Sequence, residues 1–302
     1  MPFKSQLHVD TLLSNISVKY RSADFIAMKI FPEVPVVKDS DKYRIYAPDF
    51  RLPQTLKANK GVAAQHYWEA STSSYILEDH ALKDYVSDDD QDNFDLADLR
   101  ADTVEELTDV ILRRMEKSVF DLFTTTNWSL GQSLAATGLW TLDTTQSNPI
   151  PVVDTGMSVV LTNSGFTPNF GVISYAGFIA AKNHQSLVDR IKYTQTALIT
   201  EQIMGTLFGV PEFYVSKAQL DTSDRGRTTT VSAIFADKCF FGYKPSRPSP
   251  KQPSAGYIFR KNVPMVRRWR DEERNAEAIE VRMKYSARVV ASLSGYLINN
   301  IE

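Results

Sequence analysis

The chain holds a single cysteine in 302 residues. One thiol excludes an intramolecular disulfide framework and any metal site built on several thiolates. Cys239 lies in the apolar run AIFADKCFFGY, which marks it as a buried, inert thiol and not a nucleophile. Histidine is scarce too: His8, His66, His80 and His184 are scattered, without an HExxH or CxxC companion. No stretch approaches the roughly 18 apolar residues of a membrane span, and MPFKSQLHVD lacks the apolar core of a signal peptide. These absences describe a soluble product of a reducing cytosol, used without secretion and without a membrane partner. The phosphate-binding GxxxxGKS/T, the dinucleotide GxGxxG and the GxSxG nucleophile elbow are all missing. Paired carboxylates such as Glu105–Glu106 and Glu272–Glu273 are adjacent instead of one turn apart, so they read as solvated charge. No catalytic residue, metal ligand or cofactor is expected. Excess charge of one sign is also absent: the net charge of −2 argues against wrapping nucleic acid over a large basic surface.

What is present is apolar content of 43% and aromatic content of 11%, enough for a packed core in one large domain or two of ordinary size. The longest helical pattern runs from Asp95 to Trp128. Val104, Leu107, Ile111, Met115, Val119 and Leu122 recur at steps of three and four, on one face. Glu105, Glu106, Asp109, Arg113, Glu116 and Lys117 fall on the other. Asp102 is the expected N-cap, with Glu105 completing a box-like start. A helix from Asp102 to Phe123 would be roughly 33 Å long, about twice the average, with one apolar stripe. Such a helix is a strut lying along something, most simply a sheet.

Around it, residues 1–40 read as an arm, with Pro32 and Pro35 in an extended segment. Residues 41–86 alternate at Tyr43, Ile45 and Ala47 and again at Tyr75, Leu77 and Asp79, around the polar tip LPQTLKANKGVAAQ: a long β-hairpin with an exposed end. A two-stranded ribbon of that length is marginal alone, so a partner is expected to cover it. Asp88, Asp90 and Asp92 have the spacing that opens a calcium loop, but Asn93 stands at the turn glycine and Leu99 at the closing Glu, leaving a solvated acidic connection. Residues 128–155 read as a loop-rich connector with Trp128 and Trp140 as packing anchors. Beyond it the pattern is α/β. It has a strand at Phe170–Ser174, a helix from Tyr175 to Leu187, and a helix through Ile199, Ile203, Met204 and Leu207 that stops at Gly209. Strands follow in PEFYVSKA and TTTVSAIFA, then an irregular Pro-rich turn, KPSRPSPKQPSAGY. Ile279, Val281, Met283 and Tyr285 alternate with charged residues as a half-buried strand, and Val289–Leu293 and Tyr296–Ile298 read as further strands.

Arg267, Arg268 and Arg270 surround Trp269, a combination able to hold phosphate and base. Asp271, Glu272 and Glu273 follow at once and would oppose phosphate, so an inter-chain ion-pair patch is the better reading.

In their order, these segments resemble the major capsid proteins of tailed bacteriophages, with the Hong Kong-97-type fold. DTLLSNISVKY and KIFPEVPVVKDSDKY resemble the arm leading into the family's extended loop. YILEDHALKDYVSDDDQDN, running into the helix with Glu116, resembles the passage to its spine helix. GLWTLDTTQSNPI, TPNFGVIS, NHQSLVDRIKYT and TLFGVPEFYVSKA resemble its body, and AIEVRMKYSARVVASLSGYLINN its closing strands. The resemblance implies an α+β fold in four parts. These are an N-terminal arm (1–40), an extended loop (41–86), a peripheral domain with the spine helix (87–149 and 271–286), and an axial α/β domain (150–270 and 287–302). It implies a structural protein that self-assembles into hexamers and pentamers of an icosahedral shell around double-stranded DNA, touched weakly and non-specifically. The shell would form in the host cytoplasm and end in the virion, with a separate scaffolding protein, a portal and a decoration protein as further partners. Candidate inter-subunit contacts are Lys57, Lys60, Tyr67 and Trp68 in the extended loop, Arg225 and Arg227 in RGRTTT of the axial domain, and Arg267, Arg268, Trp269 and Arg270. The chain begins almost at the arm, implying a protein mature as made or served by a separate scaffold. Some members cross-link a loop lysine to another subunit; Lys57 and Lys60 lie at the tip, but nothing in the sequence requires that bond. An encapsulin-like compartment shell shares the fold, and an α/β enzyme with a long lid hairpin is the reading from another class.

Overall fold

The computed structural model describes residues 25–46, 49–53, 55–57, 59, 61–66, 70–93, 99–142, 147–192, 199–223 and 227–302. The expected arm therefore lies outside the described residues up to residue 24. Its root follows as a one-turn helix, α1 (Ala27–Ile30), and a short strand, β1 (Glu33–Pro35). The expected hairpin is there as β2 (Ser40–Tyr46) paired with β3 (Ala70–Ile76), in register from Ser40 opposite Ile76 to Tyr46 opposite Ala70. The chain then turns at Leu77 into β4 (Glu78–Ser87), which leaves the ribbon for another sheet. The solvated acidic connection carries a short helix, α2 (Asp88–Asn93), with Asp88, Asp89 and Asp90 exposed. Ser87 explains it: its hydroxyl accepts the Asp90 N–H at 3.1 Å and donates to the Asp90 carboxylate at 2.6 Å, a reciprocal start.

The long helix, α3 (Leu99–Phe120), has the expected length but begins one turn earlier, so Asp102 lies in its first turn and is not its cap. Its buried side includes Val104, Ile111, Met115 and Val119, as the stripe predicts, and adds Leu112 and Phe120. Glu116 departs from the pattern. Assigned by spacing to the solvated face, it is fully buried, because α1 covers it. The helix lies on a four-stranded sheet in the order β1–β11–β12–β4, where β11 is Gly256–Asp271 and β12 is Ala276–Val289. The strand read at Ile279–Tyr285 is thus one half of a long antiparallel pair. Charge and Pro264 conceal β11 in the sequence, and the register shifts between Lys261 and Met265, where proline lacks the N–H a regular ladder needs. Because β11 and β12 pair along their length, the expected boundary between 270 and 271 falls inside one structural unit. The separate strand expected at Val289–Leu293 does not form; β12 runs into it and Ser292–Ser294 is a 3₁₀ turn.

The second sheet has the order β5–β13–β10–β6–β7, with β5 Gly131–Ser133, β6 Phe170–Ser174, β7 Glu212–Ser216, β10 Lys238–Gly242 and β13 Gly295–Asn299. All of β6 is buried, since the sheet is covered on both faces and alternation gives way to a continuous apolar run. Val172, Phe240 and Leu297 face the core shared with α3, while Ile173, Cys239, Phe241 and Ile298 face a second core. That second core is roofed by α4 (Pro149–Ser164), α5 (Tyr175–Asn183), α6 (Gln185–Ile191) and α7 (Glu201–Leu207). Most of α4 is in, or just beyond, what reads as connector. Asn148 caps it by accepting the Ile150 N–H, Pro149 takes the first position, and Gly165 ends it at φ 75°. The helix read across Tyr175–Leu187 is broken at His184, whose backbone is extended and whose ring accepts the Ser186 N–H at the start of α6. A small hairpin, β8 (Gln219–Asp221) with β9 (Val231–Ala233), projects from this half.

Aromatic packing joins the two halves. Past the end of α3, Phe123 lies 4.6 Å from Phe240 edge-on, 5.6 Å from Phe31 and 6.0 Å from Trp128, while Phe120 stacks on Phe235 at 4.7 Å. Gly295 and Gly256 have no room for more: a methyl group on either would come within 2.4 Å of Phe240 or of Phe31. Trp128 and Trp140 are both buried, as packing anchors should be.

Candidate inter-subunit surfaces

The hairpin is held at its base. Tyr75 stacks on Phe259 of β11 at 4.6 Å, and Tyr43 lies 5.4 Å from the same ring while its hydroxyl donates to the Val289 carbonyl at 3.2 Å. Beyond β2 the chain carries apolar side chains into solvent: Leu52 is 95% exposed, Leu56 84% and Val62 97%. Lys57, between them, is exposed as expected. Lys60, Tyr67 and Trp68 lie outside the described residues, as does Arg225. In a lone chain such a loop is an uncompensated apolar surface.

Along α3 runs a groove of about 350 Å³ lined by Asp79, His80 and Leu82 of β4 and by Val110, Ile111 and Arg114 of α3. β4 is an outermost strand of its sheet, so the groove lies beside a backbone edge. Leu82 and Val110 are both partly exposed there. His80 stacks on Tyr285 at 4.3 Å, and burial lowers its pKa below the ordinary imidazole value. Sequence reasoning missed this groove. The one local signal was Leu82 and His80 alternating on β4 beside Val110, which lies off the main apolar stripe.

The Arg267–Arg270 cluster does not form one patch, because strand alternation divides it. Arg268 and Arg270 share the face of buried Val266, toward α3; Arg267 and Trp269 point the other way, half-buried. Arg270 holds the Asp88 carboxylate of α2 with two bonds, at 2.5 and 2.6 Å. Arg268 lies 3.9 Å from Glu277, which also pairs with Arg100 of α3 at 2.8 Å. Two of the three arginines therefore make ion pairs within the chain. Arg227 is exposed in the β8–β9 loop. Asp221 staples that loop, accepting from the Ser223 N–H at 2.9 Å, the Ser223 hydroxyl at 2.7 Å and the Thr230 N–H at 3.1 Å; the Ser223 backbone bond does most to lower its pKa.

Two serine–histidine contacts, both at His184, bear on the enzyme reading. Ser147 Oγ lies 2.9 Å from His184 Nε2, and both residues are buried. The Ser147 hydroxyl donates to the Leu142 carbonyl, so Nε2 must carry the proton that it gives to Ser147. His184 Nδ1 is then the acceptor, for the Ser186 N–H at 3.2 Å and the Ser186 hydroxyl at 2.7 Å. The Ser147 contact has the polarity opposite to that of a general base and ties the loop before α4 to the α5–α6 break, while the Ser186 contact is local to the first turn of α6. Cys239 is wholly buried, and desolvation pushes its thiol well up, away from thiolate chemistry. Among the described residues no group of three His, Cys, Asp or Glu side chains could hold a metal ion, and no helix is long and apolar enough to cross a membrane.

No sequence-family profile matches the chain. Individual relatives do. The major capsid protein of Burkholderia phage BcepMu is 28% identical over 303 residues, covering 97% of this chain and 96% of its own. The chain is a homologue of phage major capsid proteins. A second such protein, from Pseudomonas phage JBD67, is 24% identical over 242 residues, covering 78% of this chain and 77% of its own. Solved structures share the fold. A phage-related protein from Bordetella bronchiseptica superposes with a TM-score of 0.80 at 22% identity, over 98% of both chains. The capsid of cyanophage P-SCSP1u gives 0.64 at 8% identity over 99% of this chain and 92% of its own. A virus-like particle from Pyrococcus furiosus gives 0.58 at 11% identity over 95% and 96%. The α+β architecture is that of phage capsid proteins, and the relatives are named for a structural part of the particle, not for an enzyme.

Proposed function

We propose that the chain is the major structural subunit of a closed phage shell, assembling with copies of itself around double-stranded DNA. The observation that carries this is the homology to a major capsid protein along almost the whole length of both chains. In this reading α3 is the spine of a peripheral domain comprising the β1–β11–β12–β4 sheet, and the second sheet with α4–α7 is the axial domain around five- and six-fold centres. The β8–β9 loop with Arg227, and Arg225 beside it, would approach those centres. The β2–β3 ribbon is the extended loop, and its apolar end would seat in the groove between β4 and α3 of the next subunit. Arg267 and Trp269, on the face of the sheet away from the spine helix, are the members of their cluster left to meet a neighbour. Five- and six-fold rings use heterologous interfaces, which need unlike patches on the two sides of a subunit; a loop end and a groove are such a pair. Weak contacts on many sides keep assembly correctable while their sum stabilises the shell. Assembly in the host cytoplasm, ending in the virion, with a scaffolding protein, portal and decoration protein as further partners, belongs to the same reading. The phage names of the sequence relatives favour a virion over a compartment shell of the same fold.

Electron microscopy of the purified protein tests the proposal. Rings or shells are expected at high concentration or with scaffold; a chain that stays monomeric under all such conditions would overturn it. Deleting residues 52–65 should leave a folded subunit, with unchanged circular dichroism and melting behaviour, that no longer completes shells. Normal shells from that deletion would remove the loop from its role.

A further inference from the structure

The root of the arm, α1, is held at both ends by charged side chains. At its start the Glu116 carboxylate of α3 accepts the Ile26 N–H on both oxygens at 3.1 Å and the Ala27 N–H at 2.7 Å. At its end the Lys244 ammonium donates to the Lys29 carbonyl at 2.5 Å and to Glu212 at 2.6 Å. Between them Ile26, Ala27, Ile30 and Phe31 are buried, with Phe31 seated against Phe123 and over Gly256. The root therefore does two things at once. It supplies the N–H groups that Glu116 needs, and it is the cover that removes Glu116 from water.

A carboxylate taken out of water is costly unless it is paired. Among the described residues no lysine or arginine forms an ion pair with Glu116; the charge that acts on it is Lys29, on α1 itself. On α3, Arg113 and Lys117 are committed to Asp109 and Asp121, and Arg114 lines the groove. On the helix-side face of the sheet, β12 brings Tyr285, whose phenol burial pushes up to about 12, and β4 brings His80, whose pKa burial lowers. From the axial half, Lys244 is matched by Glu212. Burial is the largest influence on Glu116 and pushes its carboxyl up to about 7, with the Ile26 and Ala27 bonds and Lys29 pulling the other way.

We infer that Glu116 is a proton-linked latch for the arm: the root seats with a proton held at Glu116 and loosens as that proton is lost. With the root lifted, Glu116 meets water and titrates near its ordinary 4.5; with the root seated it titrates near 7. Seating therefore takes up a proton between those values. Its contribution is fully present below the lower value and is lost as pH rises through the upper one. From pH 5 to pH 8 the root's seating weakens on the order of 50-fold. This does not depend on the shell reading or on what the arm covers.

Hydrogen exchange at the backbone amides of residues 26–31 in the full chain, corrected for intrinsic rates, reads the seating directly. Protection is expected to fall by tens of fold between pH 5 and pH 8. Glu116→Gln, neutral throughout, should show no such slope, and Lys244→Gln should lower protection at every pH while keeping it. A flat wild-type profile, or a slope that survives in Glu116→Gln, would overturn the latch. If Glu116→Gln does not fold, a carbon-13 titration of the Glu116 carboxyl in the wild-type chain decides: a midpoint near 7 supports the latch, and one near 4.5 rules it out.

Discussion

Ile111 and Leu107 sit one turn apart on α3 and share its apolar stripe, yet a charge is expected to affect them unequally. Ile111 is buried beneath the sheet, whereas Leu107 is only partly covered. Ile111→Asp should cost several kcal/mol, an unpaired charge in the core, and leave little folded chain. Leu107→Asp should cost about 1–2 kcal/mol and still fold with a lowered melting temperature. Phe123→Ala, at the centre of the aromatic joint, should cost about 3–5 kcal/mol in denaturant unfolding, more than any surface change on α3. Residue spacing made the face of the helix legible, because 3.6-fold periodicity follows from backbone geometry alone. How deeply each position is covered was not, since that depends on what packs above it. Glu116 is the extreme case. Its neighbours in sequence place it among solvated charges, and it is buried only because a segment about 90 residues earlier folds over it.

Elements were legible where one physical requirement dominates. β6 reads as a strand because both its faces are buried, and the stop of α7 reads from Gly209, whose φ of 71° suits glycine. They were illegible where signals compete. β11 carries arginines, Trp269 and a proline in a strand whose two faces have different neighbours, so its arginine run reads as an ion-pair patch and the strand goes unread; α4 opens on Pro149 and Pro151, which read as loop until Asn148 is recognised as a cap. The same competition blurred the candidate contacts. A run of arginines looks like one patch in the sequence, and only the strand's alternation sends Arg268 and Arg270 to the α3 side, to Glu277 and Asp88. Arg270 and Asp88 are well exposed, so Arg270→Ala should change subunit stability by less than about 1 kcal/mol in thermal or urea unfolding. Arg267→Glu should likewise leave the monomer's melting curve in place, but reduce shell yield by light scattering if that face meets a neighbour.

For the whole molecule, the lone chain exposes a long apolar loop end and, elsewhere, a groove beside an open strand edge; both are satisfied if each subunit gives its loop to the next and receives one in turn. That arrangement is directional, and direction can be tested by mixing. Leu56→Asp would place a charge on the loop end, and Leu82→Asp would place one in the groove. Each variant alone lacks a working contact on every interface, so both should remain monomeric in analytical ultracentrifugation while melting like wild type. A mixture retains one intact pairing: the loop of the groove variant with the groove of the loop variant. Because the second pairing is disabled on both, growth must stop at two chains. A one-to-one mixture should therefore show a heterodimer that neither variant forms alone, with no larger rings. If the mixture stays monomeric while wild-type chains assemble, the loop does not seat in this groove. If both variants assemble normally, neither surface joins the shell.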